Sequence, residues 1–232
     1  SPYYVCGDVR IGSSSAPATG DVRVAGIYTH ASGTVNLGGS PGGPAPGDVS
    51  IYGNGDVMIQ DSVGTPGYIQ TIANNAWPRD TRHGNVTVVH DGAFAVNEIR
   101  TYSRGHVYNG RSHAGNVVLN GDGEGDGASG DCNVDGIDAR YHYGDNTCWR
   151  GGDITISGYE NVALGFVTTT VHRNVDDATT YAGDLTISGI SDNITISGSI
   201  NLSVTGYVKG YHGTLSLSCT NRIRLASLNE DL

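Results

Sequence analysis

The chain has 232 residues and a formal charge of −10, and 12 of its 13 basic residues are arginine, with Lys209 the lone lysine. An acidic, lysine-poor surface repels phosphates and anionic lipids, which argues against nucleic acid and membrane surfaces as partners. No run of eighteen apolar residues is present to span a bilayer, and 36 glycines with no sustained three-and-four apolar spacing exclude substantial helix.

Read from the amino end, one motif recurs: GDVRIG from Gly7, GDVRVAG from Gly20, GDVSIYG from Gly47 and GNVTVV from Gly84. It continues as GNVVLNG from Gly115, GDITISG from Gly152, GDLTISG from Gly183 and GTLSLS from Gly213. Two places after each glycine stands Val9, Val22, Val49, Val86, Val117, Ile154, Leu185 or Leu215. Four places after it stands Ile11, Val24, Ile51, Val88, Leu119, Ile156, Ile187 or Leu217. All are branched aliphatics in a chain that is only 37% hydrophobic. Such alternation predicts a strand with one buried face. A fixed period with a fixed apolar pair predicts a solenoid, in which each repeat buries its face by stacking on the next.

About ten residues after the glycine a second inward pair is expected: Val57 and Ile59, Phe94 and Val96, Val162 and Leu164, Ile194 and Ile196, Ile223 and Leu225. A more variable third side follows, such as TTTVHRNVDDATTYA before Gly183. The last four steps span 31, 37, 31 and 30 residues. A rung of this size in three short strands resembles the right-handed parallel β-helix of the pectin-lyase-like superfold, over nearly the whole chain. The resemblance implies an all-β β-solenoid of about seven rungs and speaks to architecture, not activity. An antiparallel sandwich or barrel explains short strands but not the thirty-residue period. The step from Gly7 to Gly20 is only 13 residues, so the first GDVRIG is either one side of a rung or an arm. The expected organisation is an amino-terminal strand or arm over 1–19 and one solenoid domain over 20–232.

A start at Ser1 without methionine, thirteen tyrosines and four cysteines fit an exported, extracellular protein. Cys132 and Cys148 bracket a local loop and are expected to form a disulfide. Cys6 and Cys219 would lie in the first and last rungs, roughly 30 Å apart at ~4.8 Å per rung, whereas a disulfide needs Cα atoms within about 7 Å. They are either free thiols or partners across a junction between molecules. A parallel solenoid exposes strand edges at both ends, and neither SPYYVCGDVRIG nor TLSLSCTNRIRLASLNEDL reads as a cap. Head-to-tail self-association is therefore expected, with Val5, Cys6, Cys219, Ile223 and Leu225 at the interface. The segment around Val5, Val9 and Ile11 would either add to a neighbour or fold over its own first rung.

Four constellations bear on chemistry. Asp131, Asn133 and Asp135 before Gly136, with Asp138 nearby, match the start of a calcium loop, although His142 occupies the position of the closing glutamate. The competing reading is an acidic surface loop. Polygalacturonase-like enzymes use paired aspartates, then Gly-His-Gly, then Arg-Ile-Lys. Here Asp176-Asp177 and Arg222-Ile223-Arg224 are present, but Gly105-His106 precedes the aspartates and Val107 follows it. Lyase-like relatives need a calcium-bound acidic cluster beside an arginine, and Arg222 and Arg224 lie about three rungs from the acidic stretch. Third, Thr155, Thr186 and Ser216 with Ser157, Ser188 and Ser218 form a hydroxyl ladder of ice-binding type, but Arg10, Arg23, Gly12, Ser50, Tyr52 and Val118 interrupt those columns. Fourth, His83, His113 and His212 beside repeat glycines suggest corner stacking, and Asp8, Asp21, Asp48, Asp153 and Asp184 suggest Asx turns. Trp77 and Trp149 would cover hydrophobic edges or stack on sugars.

Together these features point to a non-enzymatic, secreted structural protein that polymerises into a filament or sheath. It would need no cofactor, with calcium a candidate ligand. The alternative is a carbohydrate-active or carbohydrate-binding β-helix, and the least supported is an ice-binding solenoid.

Overall fold

The computed structural model describes residues 7–32, 46–60, 67–74, 80–82, 84–104, 111–123, 127–142, 148–173, 179–206 and 210–228. Among these the chain is strand, turn and bend with no helix, and all named strand pairs are parallel. Four sheets form. The chain visits them in turn: Val86–Val89, Phe94–Arg100, Ser103–Arg104 and Arg111–His113 lie in the first to fourth sheets, and Val117–Asn120 returns to the first. Each pass thus lays one layer on the last, an arrangement compatible with a β-solenoid.

The first sheet stacks Val9–Ile11, Val49–Tyr52, Val86–Val89, Val117–Asn120, Ile154–Ser157, Leu185–Ile190 and Leu215–Cys219. Its register aligns Val9, Val49, Val86, Val117, Ile154, Leu185 and Leu215 in one column. A second column holds Ile11, Ile51, Val88, Leu119, Ile156, Ile187 and Leu217. From Val49 and Ile51 through Leu185 and Ile187 both columns are buried. Each such side chain contributes about 1.5–3 kcal/mol relative to exposure.

One expected member is displaced. Val22 and Val24, after Gly20, pair with Val57 and Ile59 in the second sheet. The thirteen-residue step is one side of a layer, so the first GDVRIG is a strand of the body rather than an arm within the described residues. The second sheet continues through Phe94–Arg100, Asp131–Asp138, Asn161–Thr168, Asn193–Asn201 and Arg222–Leu228. All five expected second pairs share its register, and Cys132 and Val134 complete the column between Phe94 and Val162 and between Val96 and Leu164.

The repeat glycines answer a steric demand. A Cβ built at Gly47, Gly84, Gly152, Gly183 or Gly213 would lie 2.0–2.3 Å from the carbonyl oxygen of the repeat glycine in the preceding layer. None of these five has a left-handed φ, so close approach alone requires glycine there.

Two side-chain ladders follow. The Asx residue after the glycine bonds into the following layer rather than closing an Asx turn on its own. The backbone N–H groups of Asp48, Asn85, Asn116, Asp153, Asp184 and Thr214 donate to Oδ1 of Asp8, Asp48, Asn85, Asn116, Asp153 and Asp184 at 2.7–3.1 Å. Inside each of four layers a buried threonine hydroxyl donates to the glycine carbonyl: Thr29 to Gly47, Thr71 to Gly84, Thr101 to Gly115 and Thr169 to Gly183, at 2.6–2.8 Å.

Gly152→Ala should lower stability by about 2 kcal/mol or more, because backbone must shift to admit the methyl. Thr101→Val, which strands the buried Gly115 carbonyl, should cost about 1–3 kcal/mol. Urea denaturation followed by far-ultraviolet circular dichroism measures both, and Ser50→Ala on the outward face serves as the near-neutral reference.

Candidate functional site

The acidic stretch forms strand Asp131–Asp138, not a calcium loop. Its alternation buries Cys132 and Val134 and turns Asp131, Asn133 and Asp135 outward. Alternate side chains along an extended strand stand apart on one face instead of converging on an ion. Asp131 accepts a hydrogen bond from Asn161 Nδ2 at 2.9 Å, and Asp138 is buried, paired with Arg140 at 3.1 Å. Among the described residues no group of three or more His, Cys, Asp or Glu is placed to hold a metal.

The expected Cys132–Cys148 bridge is corrected too. Cys132 is a free thiol filling an apolar column position, where it behaves as a small hydrophobe. Burial pushes that thiol far above its ordinary range, which makes it unreactive. Cys148 lies in strand Cys148–Arg150 of the fourth sheet. Cys219 is free, half-buried and in register with Ile190. Val5, Cys6, Trp77, His83, Gly105, His106 and Asp176-Asp177 lie outside the described residues, while His113 and His212 are exposed. Thr155, Thr186 and Ser216 do share one column, continued by Val118, Thr87, Ser50 and Arg10.

Arg222 and Arg224 line a shallow concavity with Asn161, Val162, Ala163, Asn193 and Thr195, and no carboxylate stands among them. Asp131 is three strands away in the same column, through Asn161 and Asn193. The acid and arginine components of lyase-type chemistry are therefore not brought together.

A richer cavity of about 390 Å³ opens on the outer face where the second sheet bends. Alternation skips a place between Val96 and Ile99. Glu98, Arg100 and Tyr102 then line the cavity with Asp138 and Arg140 from the next layer and Phe166 and Thr168 from the one after. Arg100 pairs with Glu98 and sits 5.2 Å from the Tyr68 ring centroid. The Phe166 ring covers Gly136, where a Cβ would meet it at 2.2 Å. Burial pushes the Asp138 carboxyl above its ordinary value, an effect that Arg140 and Arg100 partly offset. Each carboxylate is held by an arginine, so the groove offers fixed donors and acceptors around an aromatic face rather than a free acid and base.

One buried polar cluster lies in the core. His90 Nε2 is 2.9 Å from the Tyr159 hydroxyl and Nδ1 is 3.2 Å from the Gly55 carbonyl. A neutral ring satisfies both by donating from Nδ1 and accepting at Nε2. Tyr159 reaches it across Gly121, where a Cβ would meet the ring at 2.6 Å.

At the outermost described layer, Ile223 and Leu225 are 42% and 41% exposed, whereas Ile194 and Ile196 beneath them are 0% and 1%. Leu215–Cys219 and Arg222–Leu228 are the last strands of their sheets, so among the described residues each has one edge without a neighbouring strand.

No family model, curated protein or solved structure matches this chain.

The core histidine makes stability depend on pH. Burial lowers the His90 pKa from 6.5, so the folded state binds fewer protons than the unfolded one, and stability should fall as pH drops from about 6.5 through the lowered value. Asp138 acts oppositely: its raised pKa makes the folded state bind more protons, so that contribution grows as pH falls through it toward 3.8. Denaturation midpoints between pH 8 and 5 should decline, and the double variant His90→Phe/Tyr159→Phe should flatten that decline. An unchanged slope would show that His90 does not carry it.

Proposed function

We propose that this chain is a non-enzymatic extracellular structural protein, a right-handed parallel β-helix of about seven rungs that stacks head to tail into a filament or sheath. The observation that carries this reading is the exposure of Ile223 and Leu225, members of a column buried everywhere deeper in the stack. Among the described residues no strand pairs with the outer edge of Arg222–Leu228, and an added parallel strand is the natural partner of such an edge. The free, half-buried Cys219 lies on Leu215–Cys219, the last strand of the first sheet and part of the same outermost described layer. The extracellular assignment rests on the tyrosine-rich, lysine-poor composition.

Negative-stain microscopy of the purified chain should show rods one subunit wide, lengthening with concentration. Ile223→Asp/Leu225→Asp should give monomers by light scattering without loss of the parallel-sheet circular dichroism signal. A wild-type chain that remains monomeric at every concentration would overturn the reading.

The groove at Phe166 favours a second reading, a carbohydrate-binding β-helix. An aromatic face ringed by Arg100, Arg140, Asp138, Glu98 and Asn201 suits a polyhydroxylated ligand. On this reading, calorimetry against an oligosaccharide panel should find a binder, and Phe166→Ala should weaken it about tenfold or more. Absence of any binder would remove it.

A further inference from the structure

The end-to-end reading leaves the register of the junction open, and three features of the two outermost layers specify it. The first is steric. In five deeper layers the repeat glycine is required because the preceding layer's carbonyl would strike a Cβ. At Gly7 no described atom lies within 4 Å of such a Cβ, and its φ is not left-handed. The first layer thus keeps a residue whose demand, at five later places in that column, comes from a layer packed against it.

The second is continuity of the columns. Val9 and Ile11 in the first layer and Leu215 and Leu217 in the last are only partly buried, and they occupy the same two columns. Val22, which is buried, and Val24, which is partly buried, stand in the columns that end at Ile223 and Leu225.

The third is charge. One place before that column the layers carry Asp21, Asp56, Ala93, Asp131, Asn161 and Asn193, and then Arg222 in the last. A cation ends a column whose other end is a carboxylate. Arg224 would come opposite Arg23, whose charge Asp21 already offsets at 3.2 Å.

We propose that a second copy of this chain seats its first layer on the last layer of the one before, in the register used within the chain, with Gly7 over Gly213 and Asp21 beside Arg222. This rests on the end-to-end reading and adds the contacting residues. The glycine contact lets the two backbones reach the spacing of about 4.8 Å that parallel pairing requires. The Asp21–Arg222 pair selects this alignment over one slipped by a residue, which would turn apolar columns outward.

The test uses the full chain, with rod assembly measured by sedimentation and thermal unfolding of the subunit measured under dissociating conditions. Gly7→Ala should leave unfolding unchanged and raise the critical concentration about tenfold or more. Arg222→Glu, which sets two carboxylates together, should do the same, while Arg222→Lys should stay within about threefold of wild type. Rods that form normally with both Gly7→Ala and Arg222→Glu would overturn this register and leave end-to-end stacking standing. A wild-type chain that forms no rods would overturn both.

Discussion

The contact on which the rest of the structure depends is the approach of one repeat glycine to the carbonyl of the repeat glycine in the layer before it. With only 2.0–2.3 Å between an imagined Cβ and that oxygen, the column admits no side chain. Backbones that close can run the Asx ladder straight from layer to layer, since a short carboxyl or carboxamide reaches the next N–H. They also bring the buried threonine hydroxyls within reach of the glycine carbonyls, bracing the opposite side of the same corner. The apolar columns supply most of the favourable free energy through removal of aliphatic surface from water. The glycines fix the spacing at which that packing becomes possible.

The parts of this architecture legible in the sequence are those written as short-range alternation. The two columns of the first sheet and five pairs of the second can be read directly, because an inward residue every second place has no other common explanation. Gly20 misled because its motif is identical while its place in the layer differs, and only the thirteen-residue gap hints at this. Asp131–Asp138 misled for a related reason. Acids at alternate places mark both a calcium loop and the wet face of a strand, and Cys132 and Val134 between them were the discriminating residues. The same Cys132, considered as a cysteine before a neighbouring cysteine, suggested a bridge when its position in the alternation made it core. Contacts such as His90 with Tyr159, 69 residues apart, and the threonine clasps, spaced from 13 to 18 residues, leave no local pattern to find.

The outer groove and the end of the stack illustrate two ways in which a repetitive scaffold acquires individuality. At the groove, a break in alternation after Val96 lets Glu98, Arg100, Asp138 and Phe166 gather on one bent face. No repeat rule requires them, and their ion pairs keep the buried Asp138 compensated. At the end, the repeat itself is unbroken, and individuality comes from standing in the outermost described layer. Ile223 and Leu225 differ from Ile194 and Ile196 in surroundings rather than in chemistry.

The Asx ladder also has a polarity. Each bond runs from a main-chain donor in the later layer to a side-chain acceptor in the earlier one, and after Asp184 the succession passes to Thr214, whose side chain carries no carboxyl or carboxamide. The two faces of the stack are therefore chemically unlike. The ladder is built as an arrow: its first acceptor is the Asp8 carboxylate, and its last donor is the Thr214 main chain.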